Sequence, residues 1–165
     1  MLKLIRNKFT YTTLWLSMLT GSHSAFSQAG GEVNWLTFEQ LEDSLKVNPK
    51  KVFVDFYADW CTYCHKMDKV TFQDAEVASL LNNDYYAVRM NIETPDTVRF
   101  GNQVFVNERI KKPNPVHQIA LLMASQKGKV FSLPAMVLLD DTFKAKARFF
   151  QYLDTEQMIE ILNKQ

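Results

Sequence analysis

Cysteine is scarce in this sequence: 165 residues contain two, Cys61 and Cys64. A small fold stapled by disulfides needs several pairs at wide spacing, so that class is excluded. A pair three residues apart closes almost no loop and adds little stability, which points to a chemical use. A concentrated basic excess is also missing. The net charge of +1 falls to −2 without Lys3, Arg6 and Lys8, the three bases of an N-terminal segment that contains no acid. That near-neutral balance gives no footprint for nucleic acid. The apolar stretch around Phe9 to Leu19 is diluted by threonines and falls short of the roughly 20 residues that a membrane span needs. With its basic start and the small residues Ala25 and Ser27, segment 1–27 reads as a signal peptide, leaving a mature chain that does not span a membrane. No cysteine near the cleavage point indicates a lipid anchor, and there is no internal repeat or low-complexity tract.

What remains, 28–165, has the size of one domain and an ordinary share of apolar residues, 47% of the whole chain. Val33 to Leu36 reads as a short strand, and Thr37 with Gln40 makes a capping box for a helix to about Val47. Val52 to Tyr57 is a continuous apolar run broken by Asp55, as in a strand buried on both sides. After Cys61 the pattern turns helical, breaks near Thr71 and restarts at Asp74. Asn82-Asn83-Asp84 reads as a turn before a strand from Tyr85 to Ile92. The runs 97–100 and 103–106 flank Gly101-Asn102, a two-residue hairpin loop. A solvated connection through Arg109, Lys111 and Lys112 leads to Pro115, placed in the first turn of a helix to about Ser125 with Ile119, Leu122 and Met123 inward. Ala135 to Leu139 and Lys144 to Tyr152 read as an antiparallel pair, and Asp154 with Gln157 caps a last helix. The order of elements defines an α/β layer structure.

The cysteines lie in VFVDFYADWCTYCHKM, residues 52–67, where a strand gives way to a helix. A helix N-terminus presents unpaired N–H groups and the positive end of the dipole, which favours a thiolate at Cys61. Cys61 is then expected to be the exposed nucleophile, with Cys64 one turn further in to attack the mixed disulfide. Such thiol–disulfide exchange needs no cofactor. Two other uses of a CxxC stand beside it, half of a zinc site and a structural disulfide. No second CxxC supplies further zinc ligands, and His65 follows Cys64 directly, about 100° round the helix. No metal is therefore expected.

Residues 55–67 resemble the active-site segment of the thioredoxin family: an aspartate in the strand, an aromatic, Ala, an acid, Trp, then CxxC and a basic residue. Arg89 to Glu93 resembles the family's third strand, and Leu133-Pro134 its cis-proline loop. The continuation through Asp68 to Phe72 is most similar to the exported branch that includes the C-terminal domain of the membrane reductant conductor DsbD and single-domain periplasmic relatives. The resemblance implies a central mixed β-sheet flanked by helices; the β-hairpin insertion expected at about 95–114, before the third main helix, exceeds the compact form of the family. It implies that Asp55 is a buried acid exchanging protons with the inner cysteine, and that Arg89 pairs with it where the family has lysine. By the same resemblance, Trp60 shapes the docking surface, while Leu133, before a cis Pro134, holds an incoming chain as an added strand.

The Thr62-Tyr63 pair between the cysteines departs from typical members. With no histidine there to stabilise the thiolate further, reduction or isomerisation of disulfides is expected rather than oxidation. Expected partners are exported proteins bearing disulfides or thiols, and a membrane electron conductor that recharges the pair in an oxidising periplasm. A disulfide-forming oxidase, or a binding or chaperone module with passive cysteines, is the alternative. The insertion is expected to contribute to partner recognition.

Overall fold

The structure, a computed structural model, describes residues 31–164; the signal reading of 1–27 lies outside the described residues. Strand β1, Lys51–Tyr57, is central, and its five inner residues are all buried. It pairs in parallel with β2, Tyr85–Asn91, and antiparallel with β5, Ala135–Leu139. β5 pairs in turn with β6, Ala145–Phe149, giving the order β2-β1-β5-β6. Because side chains alternate along a strand, β1 feeds two cores. Val52, Val54 and Phe56 face a core closed by α1, Phe38–Val47, and α4, Gln118–Ala124. Phe53 faces the opposite core, closed by α2, Thr62–Lys69, α3, Ala75–Asp84, and α5, Thr155–Asn163. Asp55, two residues on from Phe53, therefore enters the α2 side.

The helix starts follow local chemistry. Thr37 Oγ1 accepts from the Gln40 amide at 3.2 Å, and Gln40 Oε1 accepts from the Thr37 amide at 2.9 Å. Asp154 and Gln157 repeat the arrangement at α5. The interruption at Thr71 is a 3-10 turn over Thr71–Gln73, after which Asp74 Oδ1 accepts the amides of Glu76 and Val77 and starts α3. β3, Val98–Phe100, and β4, Gln103–Phe105, form an antiparallel ribbon. Its two turn residues have φ of 60° at Gly101 and 59° at Asn102, a left-handed geometry suited to glycine and asparagine.

Five expectations are corrected. Val33 to Leu36 forms no strand; only Leu36 bridges to β2, at Val88. Asn82 to Asp84 is not a turn but the last turn of α3, because the Asn82 side chain is held by the Asn34 amide and the Glu32 carbonyl. α4 begins at Gln118 rather than at Pro115, since the buried His117 is its N-cap and accepts the Ile119 amide at Nδ1, 3.3 Å away. Leu122 points outward, 69% exposed, so the inner face of α4 is Ile119, Ala120, Met123 and Ala124. β6 is also shorter than the run from Lys144 to Tyr152.

Candidate active site

The end of β1 and the start of α2 bring the cysteines together. The Cys61 amide donates to the Ala58 carbonyl at 3.0 Å, which turns the chain and makes Cys61 the N-cap of α2. Its Sγ accepts the Cys64 amide at 3.2 Å, and the two sulfurs are bonded, 2.09 Å apart. The expectation of an exposed nucleophile is corrected: Cys61 is only 4% exposed and Cys64 3%. Sγ turns toward the helix end and its partner sulfur, while the flanking rings of Trp60, 63% exposed, and Tyr63, 59% exposed, meet solvent.

Beneath this junction lies a chain of charges. Asp55, 2% exposed, is in register with Arg89 across the β1–β2 pair. Arg89 Nε is 3.2 Å from Asp55 Oδ2, an ionic contact without a directed hydrogen bond. Nη2 of the guanidinium reaches Asp68 Oδ1 at 2.5 Å, and its Cζ lies over the rings of Tyr57, 4.3 Å away, and Trp35, 5.5 Å away. Asp68 and Cys64 are four residues apart on α2 and share one helix face. The charges thus lie on the side of the sheet that α2 covers. Burial pushes the Asp55 carboxyl up to about 7; Arg89 pulls against that rise and the nearby Asp68 adds to it. Asp55 is therefore poised to gain or lose a proton near neutrality. Sequence reasoning paired Arg89 with Asp55 but gave Asp68 no role; its signal was the i, i+4 spacing from Cys64.

Trp60 is fixed by a hydrogen bond from Nε1 to Glu93 Oε1 at 2.9 Å, a partner the sequence reading missed. His65 turns back, its Nε2 donating to the Asp59 carbonyl at 2.7 Å, and so braces the loop before Cys61. The Leu133-Pro134 peptide is cis, and Pro134 enters β5. Leu133 forms a ridge between two clefts. One, of about 270 Å³, runs from Trp60 across Ile92, Val116 and Phe131 to Arg109. The other, of about 590 Å³, is bounded by Tyr63, Pro134 and Tyr152. Among the described residues, no group of three His, Cys, Asp or Glu could hold a metal ion, and no helix is long and apolar enough to cross a membrane.

Together, the four-stranded mixed sheet, the capped CxxC and the cis-proline loop define the class. A family profile for the thioredoxin-like domain matches residues 38–165, and the chain belongs to that family. With Cys61 and Cys64 at bonding distance, it carries the redox pair of the family's disulfide oxidoreductases. Among curated proteins it is similar to the thiol:disulfide interchange protein DsbD of Colwellia psychrerythraea, 39% identical over 67 residues that cover 39% of this chain and 10% of the relative. It is also similar to DsbD of Photorhabdus laumondii, 44% identical over 50 residues, 30% of this chain and 8% of the relative. The chain spans about a tenth of the length of these relatives. Among solved structures, the oxidoreductase DsbH matches with a TM-score of 0.55 at 20% identity, covering 82% of this chain and 85% of the other. Likeness at that identity shows the fold alone.

Proposed function

We propose that this protein is an exported thiol:disulfide oxidoreductase that reduces or isomerises disulfides in periplasmic proteins and is recharged by a membrane electron conductor. The observation that carries the reading is Cys61 Sγ at the N-cap of α2, accepting the Cys64 amide while bonded to Cys64 Sγ. In the reduced protein the same N–H and the helix dipole favour a Cys61 thiolate. That thiolate attacks a target disulfide, forms a mixed disulfide and releases one target thiolate. Cys64 passes its proton to Asp55, attacks the Cys61 sulfur and releases the second target thiolate. Two electrons have then moved to the target, and the Cys61–Cys64 disulfide is re-formed. Trp60, Leu133 and Pro134 hold the target segment, and Arg89 steadies the charge on Asp55. Similarity to DsbD supports a place in a relay of thiol exchange, and the Thr62-Tyr63 pair supports the reducing direction.

The reduction potential tests the direction, measured on residues 28–165 equilibrated against defined glutathione ratios. A value near the thioredoxin end, about −270 mV, is expected; one near about −120 mV makes the protein a disulfide donor instead. Cys61→Ser is expected to abolish exchange completely. Retained exchange in that variant rejects the reading.

A further inference from the structure

The cleft on the Trp60 side of Leu133 has a wall that the redox chemistry does not require. None of its lining residues comes from the β3–β4 ribbon, which instead packs against α1: the Arg99 and Gly101 amides donate to Glu39 and Glu42, and Phe100 meets Phe38 edge to face. The wall comes from 106–117, whose middle, through Arg109, Lys111 and Lys112, reads in the sequence as a solvated connection. It is held from within by Asn107, only 7% exposed. Asn107 Nδ2 donates to the carbonyls of Pro115 at 2.8 Å, Thr94 at 3.3 Å and Ile92 at 3.4 Å, while its Oδ1 accepts the Arg109 amide at 3.1 Å. Gln118 Oε1 accepts the Val106 amide at 2.8 Å and closes the other end. A loop organised this way presents its side chains in fixed positions, which lowers the ordering cost of binding.

Those side chains are unevenly engaged. Glu108 accepts from Gln118 Nε2, and Glu93, the acid that lines the cleft, accepts from Trp60 at the end away from Arg109. Arg109 spends one guanidinium nitrogen on the Pro113 carbonyl, and its other donors have no partner among the described residues. Lys111 and Lys112 follow it, both exposed. The cleft, about 270 Å³ and mainly apolar, with Arg109 at one end and Glu93 beside Trp60 at the other, holds one large side chain rather than a whole small molecule.

We propose that 106–117 makes this cleft selective for polypeptide targets in which an apolar residue beside the reactive cysteine is accompanied by an acidic one, and that Arg109 reads the acid. The inference rests on the oxidoreductase reading for its biological use. A target laid along Leu133 as an extended segment puts the neighbour of its cysteine into the cleft and the next charged group against Arg109.

Binding separates the two readings. Peptides with serine in place of the reactive cysteine, a fixed phenylalanine beside it, and Glu, Gln or Lys at the following position are titrated against the oxidised protein, with Trp60 fluorescence as the readout. Glu is expected to bind tightest and Lys weakest, about threefold per step, a spread that shrinks as salt rises. Arg109→Glu is expected to reverse the order and Arg109→Lys to keep it. Equal affinities for the three peptides, or an order unchanged by Arg109→Glu, overturn the proposal. Exchange rates with the matching cysteine peptides are measured separately: no exchange with any of them rejects the oxidoreductase reading and leaves the binding order to judge the loop.

Discussion

Two buried polar clusters lie on opposite faces of the sheet, and they are built on different principles. Under α2, Asp55, Arg89 and Asp68 carry charge, and one guanidinium serves two carboxylates. Under α4, Asn107 and His117 are neutral and their hydrogen bonds are committed. His117 accepts the Ile119 amide at Nδ1 and donates from Nε2 to the Asp96 carbonyl at 3.1 Å, which fixes one neutral tautomer. A cluster with spare protonation states can change during a reaction, whereas a saturated one can only hold its shape. The first lies beneath the CxxC and the second behind the cleft proposed to dock targets, so on that proposal the division matches chemistry on one face and recognition on the other.

The two clusters respond to pH in opposite directions. Asp55 has a folded-state pKa of about 7, above the ordinary 3.8, so the folded state holds its proton more tightly and stability falls as pH rises from about 4 to 7. Asp55→Asn removes that dependence. It is expected to be more stable than the parent at pH 8 by up to about 4 kcal/mol in chemical denaturation, while Cys64 releases mixed disulfides more slowly. A variant less stable than the parent at pH 8 breaks the contrast. The next largest effect is expected for Asn107→Ala, which strands the Arg109 amide and the carbonyls of Thr94 and Pro115, while the Ile92 carbonyl keeps the His117 amide, and costs about 2–3 kcal/mol. Its reduction potential should stay unchanged, and a shifted potential would show that the two faces are not separate. The smallest effect is expected at His117. Burial pushes its pKa below the ordinary 6.5, so its contribution is complete above that value and is lost as pH falls below it. His117→Asn keeps a capping side chain but takes the donor from the Asp96 carbonyl; it is expected to cost about 1–2 kcal/mol at pH 7.5 and should flatten the loss of stability toward pH 5.

These clusters were unequally legible. Asp55 stands out because an acid within Val52, Phe53, Val54 and Phe56 breaks an apolar run, and Arg89 follows from strand register. Both capping boxes were readable because their partners are three residues apart. Asn107 was not readable: the carbonyls it gathers come from Ile92, Thr94 and Pro115, which only the folded chain brings together. Pro115 is a strong local signal for a helix start, but it was outweighed by a histidine whose capping role depends on being buried. The burial of Cys61 was equally out of reach, because it depends on which way Sγ turns after the Ala58 bend.

The sulfur that caps α2 is also the sulfur proposed to attack the target, so the first turn of that helix registers the redox state directly. A disulfide sulfur is a weak acceptor for the Cys64 amide, and a thiolate at the same position is a strong one. Each turnover therefore tightens and loosens one backbone hydrogen bond, which makes the Cys64 amide proton an internal spectroscopic marker for whether the protein is holding electrons or has given them away.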